Sequence, residues 1–349
     1  MIGAVWFWIV AGMLAAYVVL DGFDLGVGIL LPFLARSEYD RRQVLRSIGP
    51  VWDGNEVWLL AGGGTLFFAF PLLYASAFSG FYLPLMIVLW LLILRGLGIE
   101  LRSQVESEVW RSFFDGIFVL SSSLLAIFYG AALANVIRGV PIGTDRYFFL
   151  PLWTNWQTGV SPGILDWYTV LGGVVALVAL AHHGALWLAY KCQGDLEVRA
   201  SKIAKRLFPV LVAITLVSLP ATVIARPNSL ASYQQHPVLF IVPVLVLVAL
   251  IAIAILRARK QSLYSFLASS LYLAVMLVGA AAGLYPVLLP STNPAVKDIT
   301  VAEALSGSYP IHVGLIWWTF GIFLAVLYFT VSYWLFRGKV SSDAGYDHE

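Results

Sequence analysis

The stretch Pro237–Leu256, PVLFIVPVLVLVALIAIAIL, decides the class of this protein, because none of its side chains is charged. A run of about 20 apolar residues is the length that an α-helix needs to cross the hydrocarbon core of a bilayer. Similar runs recur along the chain, and of its 349 residues 60% are hydrophobic and only 11% are charged. A soluble protein could not bury so many apolar helices in one core, so the sequence predicts an all-α integral membrane protein.

Apolar runs between charged or Pro/Gly-rich breaks predict nine membrane-spanning helices. No soluble domain interrupts them, so residues 1–349 are predicted to form one polytopic membrane domain, with 340–349 as a short cytoplasmic tail. The predicted spans are Val5–Leu34, Pro50–Phe70, Tyr74–Leu97, Phe113–Ile137, Ile164–Tyr190, Leu207–Ala225, Pro237–Leu256, Ser262–Leu289 and His312–Phe336.

The positions of Lys and Arg predict the direction of these spans. If the N-terminus is outside, 17 of the 21 Lys and Arg residues fall in the inner segments and in the tail. The outer segments hold only Arg138, Arg146, Arg226 and Lys297. Because cytoplasmic loops are enriched in Lys and Arg, the N-terminus is predicted to lie outside and the C-terminus in the cytoplasm.

Many Trp and Tyr residues lie near the predicted span ends, among them Trp6, Trp167 and Tyr333. This placement is typical of the aromatic belts at the two membrane interfaces. Packing between helices stays open as the alternative for some of them.

Six acidic side chains are predicted to lie at the inner ends of the first four spans, whereas the outer side offers only Asp166 at a helix start. A charged group in the middle of a membrane costs about 3 kcal/mol or more, so each acid within a span needs a reason. An acidic cluster on one side indicates a route for protons from the cytoplasm. The six residues are Asp21, Asp24, Asp53, Glu56, Glu100 and Asp115.

The spacing of these acids sharpens the prediction. Asp21 and Asp24 are three residues apart and share one helix face, as do Asp53 and Glu56. Two carboxylates this close and partly removed from water do not both ionise readily, so at least one is expected to hold a proton. The small residues at Gly22/Gly26 predict a seam where another helix approaches closely.

Structural roles compete with the proton-carrying role for each acid. Asp53 and Glu56 follow Pro50 at a helix start, where acids cap free N–H groups and meet the helix dipole. Asp21 is near enough in sequence to the arginines of 36–42 to form an ion pair with one of them. Glu100 and Asp115 also fit solvated interface residues that pair with Arg95 or Arg111.

The five histidines do not form the pattern of a haem-binding subunit, which needs axial ligands on facing helices. His182 and His183 are adjacent and point about 100° apart on one helix. A buried structural histidine that hydrogen-bonds a neighbouring helix is the favoured role, ahead of proton transfer and metal ligation. With a single cysteine, Cys192, the chain is predicted to carry no redox metal of its own, and nothing points to a nucleic-acid partner.

Four motifs in the first hundred residues resemble one family, subunit II of cytochrome bd-type quinol oxidases. They are DGFDLGVG at Asp21–Gly28, GPVWDGNEVW at Gly49–Trp58, FSGFY at Phe78–Tyr82 and LRGLGIELR at Leu94–Arg102. Later segments, such as His183-Gly184-Ala185, agree more loosely, and the resemblance extends over essentially the whole chain.

The resemblance implies a subunit of an oxidase that reduces oxygen to water in a bacterial plasma membrane. The partner is then a haem-bearing subunit I, which carries haems b and d and the quinol site, while this chain is haem-free. Quinol is the electron donor of the complex. Small accessory subunits and a structural quinone or lipid are left open.

The resemblance also assigns roles to individual residues. Asp53 of the Trp-Asp-Gly-Asn motif corresponds to an acid on a proton path from the cytoplasm, and Glu100 to an acid associated with proton uptake. The family position of Glu100 is sometimes Asp, so the longer side chain departs from part of the family. Asp24 completes the predicted proton path. Supporting roles are predicted for Asp21, Trp52, Asn55, Glu56, Arg95 and His183.

Two functions of other classes compete with the oxidase subunit. A proton-driven secondary transporter would also use buried acids, but the sixth to eighth spans contain no Asp or Glu and so no second copy of the acidic motif. A pure assembly scaffold would use the acids only to pair with cations of a partner.

Overall fold

The chain folds into a bundle of long helices in a computed structural model that describes residues 1–340. The predicted cytoplasmic tail therefore lies, except for Val340, outside the described residues. The α-helices are α1 (Ile2–Leu34), α2 (Glu38–Ile48), α3 (Trp52–Ala69), α4 (Pro71–Gly80), α5 (Tyr82–Glu100), α6 (Glu108–Arg138), α7 (Trp167–Lys191), α8 (Gly194–Ala225), α9 (Ala231–Gln235), α10 (Ile241–Ala258), α11 (Ser262–Leu284), α12 (Val301–Ala304) and α13 (Ser308–Leu335). Two 3-10 turns, Pro227–Leu230 and Pro237–Phe240, flank α9, and β1 (Val287–Leu289) pairs antiparallel with β2 (Ile299–Thr300).

Eight of these helices are long and apolar enough to cross a membrane, which confirms the predicted all-α membrane fold. The second predicted span coincides with α3, but Asp53 and Glu56 lie in the first turns of that helix and reduce its apolar character. The count of nine spans and their direction stay predictions. The eight helices are α1, α5, α6, α7, α8, α10 with its preceding 3-10 turn, α11 and α13.

The third predicted span, Tyr74–Leu97, is wrong as one helix, because the backbone leaves the helical conformation at Phe81 and separates α4 from α5. The ring of Phe148 packs against Gly80 at this break, where a Cβ atom on Gly80 would collide with it. The chain therefore turns here so that the loop after α6 can fold against α4.

Two other span boundaries also differ from the prediction. The eighth span ends at Leu284 rather than Leu289, because Pro286 has no N–H to continue the helix and the chain passes into β1. The sixth begins at Gly194 rather than Leu207, since the charged residues of 194–206 extend α8 beyond its apolar part.

The two ends of the bundle differ in charge. The end that carries residues 36–46, Arg102, 191–206 and 257–260 is called the basic end. There α2 lies against the bundle, with the indole Nε1 of Trp187 donating to the carbonyl of Ser47 at 3.2 Å. The opposite end holds the loop 139–166 and the segment 285–307, which are joined by a hydrogen bond from Val140 N to Pro290 O.

α1 runs through the centre of the bundle and packs directly on α7. A Cβ atom on Gly26 would lie 2.8 Å from the Cα atom of Gly184, so the two backbones touch. A Cβ atom on Gly22 would lie 2.9 Å from the side chain of Leu180. The predicted close approach at Gly22/Gly26 is confirmed, and α7 is the helix that approaches.

α13 is the least enclosed of the long helices. None of the side chains in its most apolar stretch is buried within this chain. Near its start Trp6 Nε1 donates to Ile311 O at 3.3 Å, and near its end Tyr333 hydrogen-bonds Asn55. Contacts near its two ends therefore attach α13 to the bundle.

Candidate proton-carrying carboxylate site

A buried ion cluster joins α1, α3 and α5 within the membrane-spanning part of the chain. The two terminal nitrogens of Arg95 each donate to one oxygen of Asp21, both at 2.7 Å, and neither side chain is exposed. Arg95 Nη2 also donates to Glu56 Oε2 at 3.1 Å. The guanidinium carbon lies 5.9 Å from the centroid of the Trp52 ring. Arg95 is thus the cation that permits Asp21 to be buried.

The alternative for Asp21, an ion pair with an arginine of 36–42, is right in kind but wrong in partner. Arg36 follows Asp21 by 15 residues, and because α1 continues without a break to Leu34, that distance is about 20 Å along the helix axis. The arginines at 36–42 therefore lie beyond the reach of Asp21. Asp21 pairs instead with Arg95 on α5, which is 74 residues away in sequence.

Asp24 lies one turn further along α1 and belongs to a separate hydrogen-bonded chain. Asn55 Nδ2 donates to Asp24 Oδ2 at 2.8 Å and to Leu20 O at 3.1 Å. The hydroxyl of Tyr333 donates to Asn55 Oδ1 at 2.8 Å. Since the carbonyl of Leu20 can only accept, the amide nitrogen must face Leu20 and Asp24, and the amide oxygen faces the tyrosine. Three helices, α1, α3 and α13, meet at this chain.

This site has three carboxylates but only one cation. Asp21 and Glu56 share the guanidinium of Arg95, whereas Asp24 forms no ion pair and receives only the neutral amide of Asn55. Asp24 Oδ1 and Arg95 Nε are buried without a hydrogen-bond partner among residues 1–340. Buried polar atoms are rarely left unpaired, so these two atoms mark the site as incompletely satisfied.

Asp53 points away from the bundle. Its side chain is exposed, and no described residue forms an ion pair or hydrogen bond with it. The residue before α3, Val51, makes no side-chain cap, and neither Asp53 nor Glu56 accepts a hydrogen bond from the first turn. The hydrogen-bonded cap is therefore not observed, although both acids still lie near the positive end of the α3 dipole.

Glu100 ends α5 at the basic end, is exposed and has no ion-pair partner within the described chain. The predicted pairing of Asp115 with Arg95 or Arg111 is wrong. Asp115 instead accepts from Arg102 Nε at 2.5 Å and lies 3.2 Å from Arg41 Nε. Asp115 thus belongs to a surface network rather than to the buried cluster.

Arg102 is the centre of that surface network. Besides Asp115 it binds both carboxylate oxygens of Glu38, at 2.9 and 2.8 Å, and so ties α2 to α5 and α6. Hydrogen bonds from Arg102 hold the pKa of Glu38 below its usual value, although partial burial of Glu38 opposes this. Glu38 therefore stays ionised at neutral pH.

His183 links three helices. Its Nε2 faces the carbonyl oxygen of Val19 at 3.1 Å, which requires an N–H at that nitrogen, and its Nδ1 lies 3.0 Å from the hydroxyl of Ser269. Both nitrogens are occupied, as the structural interpretation predicts. His182 is equally buried, but neither of its ring nitrogens has a partner in the described chain.

No group of three or more His, Cys, Asp or Glu side chains within residues 1–340 is arranged to hold a metal ion. The absence of a redox centre from this chain stays a prediction, since it rests on the resemblance and on the positions of the histidines.

Sequence analysis missed two features of the site. Tyr333 was assigned to an interfacial belt, yet it donates to Asn55, which lies 278 residues earlier. The pairing of Arg95 with Asp21 was also missed, although a signal existed. A cation inside an apolar helix requires a carboxylate partner at the same depth, and Asp21 was one of the few candidates.

The sequence model of one family, described as cytochrome bd terminal oxidase subunit II, matches residues 2–336. The chain belongs to this family. Subunit II relatives include cytochrome bd-I ubiquinol oxidase subunit 2 of Escherichia coli K12, 31% identical over 97% of this chain and 95% of that protein. Cytochrome bd ubiquinol oxidase subunit 2 of Bacillus subtilis is 32% identical over 96% of each chain.

A solved structure supports the same fold for this subunit II chain. The structure of bd oxidase from Geobacillus thermodenitrificans contains a chain that superimposes with a TM-score of 0.76, at 16% identity. The match covers 97% of this chain and 99% of that chain. The family membership identifies a subunit of an oxygen-reducing quinol oxidase complex, and it removes the secondary transporter from consideration.

Proposed function

We propose that this chain is the haem-free subunit II that supports haem-bearing subunit I and supplies carboxylates for proton uptake from the cytoplasm. Subunit I would contribute haems b and d and the quinol site, in a bacterial plasma membrane. The reduction of one oxygen molecule to two waters consumes four protons and four electrons. If quinol supplies the electrons and the protons come from the cytoplasm alone, the reaction charges the membrane without a pump.

One observation carries the proposal: three carboxylates lie around a single arginine inside the membrane-spanning helices. Arg95 neutralises Asp21 through two hydrogen bonds and gives one more to Glu56, which leaves Asp24 with only the amide donor of Asn55. Burying an isolated carboxylate is costly, and a group in that position takes up a proton instead. Asp24, with one oxygen unpaired, is the carboxyl group that we infer to hold a proton at rest.

Both exposed acids lie on the basic-end side of the cluster, and they fit an entry and an exit of such a path. Glu100 lies five residues after Arg95, about 8 Å along α5 toward the basic end, where the positive-inside rule places the cytoplasm. Asp53 lies one turn before Glu56 on α3 and faces out of the chain. A carboxylate facing lipid would be costly, so we infer that subunit I covers Asp53 and receives the proton there.

The experiment is quinol-driven oxygen uptake by the purified complex, comparing wild type with Asp53→Asn at equal haem content. Asp195→Asn is the matched control, because Asp195 is also an exposed, unpaired acid at the basic end of the described chain. Loss of turnover in Asp53→Asn alone, with haems retained, supports the proton path.

Two results contradict parts of the proposal. Unchanged turnover in Asp53→Asn would leave this chain a scaffold whose acids serve assembly. Purification of the chain without any haem-bearing partner would contradict its assignment as a subunit that supports haem-bearing subunit I.

A further inference from the structure

Six cations gather at the basic end where α8 meets the turn between α10 and α11. The guanidinium carbon of Arg257 lies 5.4 Å from the centroid of the Phe208 ring, so the turn lies against α8. Lys205 precedes Phe208 by three residues and Lys202 precedes Lys205 by three, which places all three on one face of α8. We call this set the cationic corner: Lys202, Lys205, Arg206, Arg257, Arg259 and Lys260.

The cationic corner lacks carboxylates. Among residues 1–340, none of its six side chains forms an ion pair, and the contact of Arg257 with Phe208 is with a neutral ring. Five other cations at the basic end are paired. The pairs are Arg41 with Asp115, Arg42 and Arg102 with Glu38, Arg199 with Asp40, and Lys339 with Glu197.

Arg257 adds an unsatisfied donor to the cationic corner. Its Nε is buried and has no hydrogen-bond partner in the described chain, while the residue as a whole is half-buried. A buried N–H of a charged group costs free energy when it has no acceptor. No described residue offsets that cost for Arg257.

The corner lies where the apolar surface of the bundle stops. The large apolar side chains next to the cations are exposed rather than packed within the chain: Val210 on α8, Ile251 and Ile255 on α10, and Leu263 and Leu267 on α11. Such a surface faces acyl chains in a bilayer. The cations therefore lie at the depth of the lipid headgroups.

We propose that the cationic corner binds the headgroup of an anionic phospholipid from the adjacent leaflet. Guanidinium groups form charge-assisted hydrogen bonds with phosphate oxygens, and five of the six cations of the corner are exposed at this end of the bundle. Clusters of four to eight Lys and Arg residues beside a membrane helix are typical of anionic-lipid sites. The acyl chains would lie along the exposed apolar faces of α8, α10 and α11.

The test measures lipid bound to the purified complex by native mass spectrometry, during titration with phosphatidylglycerol or with zwitterionic phosphatidylethanolamine. We expect preferential retention of phosphatidylglycerol. The triple variant Arg257→Gln/Arg259→Gln/Lys260→Gln should lower that affinity roughly fivefold for each cation removed. The matched control, Arg36→Gln/Arg111→Gln/Arg337→Gln, removes the same charge from scattered positions at the same end and should change affinity less than twofold.

A second variant protects the test against a folding defect. If the triple variant fails to assemble, the double variant Arg259→Gln/Lys260→Gln changes only exposed side chains and should still lower the affinity. Oxygen uptake is not the readout, so the result is independent of the proposed proton path.

Four outcomes would overturn the proposal. The first is equal retention of the two lipids, and the second is an equal loss of lipid affinity in the triple variant and its control. The third is competition by inorganic phosphate as effective as that by the lipid, which would indicate a site for a soluble anion. The fourth is lipid binding that increases only when Asp343, Asp347 and Glu349 are neutralised. Those acids lie outside the described residues, and such a gain would mean that the chain itself neutralises the corner.

Discussion

Two buried arginine–carboxylate clusters, one toward each end of the bundle, differ in how completely their charges and hydrogen-bond donors are paired. At the opposite end Arg138 pairs with Asp166 and donates to Asn135 Oδ1 at 2.7 Å. Its remaining donors reach the carbonyl oxygens of Gly163 and Gly139 at 3.1 and 3.2 Å. Asp166 also accepts the backbone N–H groups of Tyr168 and Thr169 and so caps α7.

The cluster around Arg95 is built from the same residue types but is not closed in this way. One arginine binds two acids, the third acid has no cation, and Asp24 Oδ1 and Arg95 Nε have no partner among the described residues. In the Arg138 cluster every nitrogen of the guanidinium faces an acceptor, and one acid faces one cation. The comparison separates a structural joint, whose charges balance, from a site with surplus carboxyl groups, which we propose exchange protons.

Arg138→Gln should have the largest effect on stability. It leaves the Asp166 carboxylate buried without its cation, a change that costs about 3–5 kcal/mol. We expect a large fall in the thermal unfolding midpoint of the purified complex, with normal oxygen uptake per haem in the fraction that survives. A stable variant with low turnover would contradict this distinction, because it would show that the Arg138 cluster has a role in turnover.

Asp24→Asn should have the largest effect on turnover. The amide keeps the shape of the side chain and can accept the hydrogen bond from Asn55, but it cannot exchange a proton. Proton-transfer groups contribute roughly 10²-fold or more to rate, so we expect oxygen uptake per haem to fall to that extent with little change in thermal stability.

Asp166→Asn is the control for Asp24→Asn, because it is the same substitution at the other cluster. It should lower stability and leave turnover per haem unchanged. Equal losses of turnover in the two variants would mean that both act through folding.

Tyr333→Phe should have a moderate effect, because it removes one hydrogen bond from Asn55, worth about 1 kcal/mol. We expect turnover to fall by no more than roughly fivefold. In infrared spectra, the protonated carboxyl band that disappears in Asp24→Asn should shift in Tyr333→Phe. Tyr328→Phe is the control, since Tyr328 lies on the same helix, beside Gly54, and is exposed. An unshifted band in Tyr333→Phe would mean that the contact of Tyr333 with Asn55 contributes only to packing.

The smallest effect concerns the surface network at Glu38. Its pKa is lower in the folded protein than the usual value of about 4.3, so its pairing with Arg102 stabilises α2 above that pH. The contribution is lost as the pH falls through the lowered pKa. Hydrogen-exchange protection of α2, corrected for intrinsic rates, should be constant from pH 8 to 5 and decrease below about pH 4. In Glu38→Gln it should be low throughout.

The sequence predicted those features that depend on short stretches of chain. Hydropathy located the long helices because a spanning helix must be apolar along its whole length. The spacing of Gly22 and Gly26 predicted a close helix contact because residues four apart share one face. The carboxylates of α1 and α3 were found because acids are rare in such helices.

The remaining features depend on which helices become neighbours. Nothing near Tyr333 in sequence indicates that it reaches Asn55. For Asp21, proximity in sequence favoured the wrong arginines, since a straight α1 carries them away from it. The break at Phe81 depends on Phe148 of a distant loop. Tertiary contacts of this kind have no periodic signal in one sequence.

The position of Tyr333 also has a consequence for biosynthesis. The ribosome delivers α1 and α3 first, and α13 is the last of the described helices to enter the membrane. Until then Asn55 Oδ1 lacks its donor, and the amide is held only through its bonds to Leu20 O and Asp24. A newly made subunit would therefore complete this hydrogen-bonded chain only after α13 has docked, and any proton transfer that needs the complete chain would begin only then.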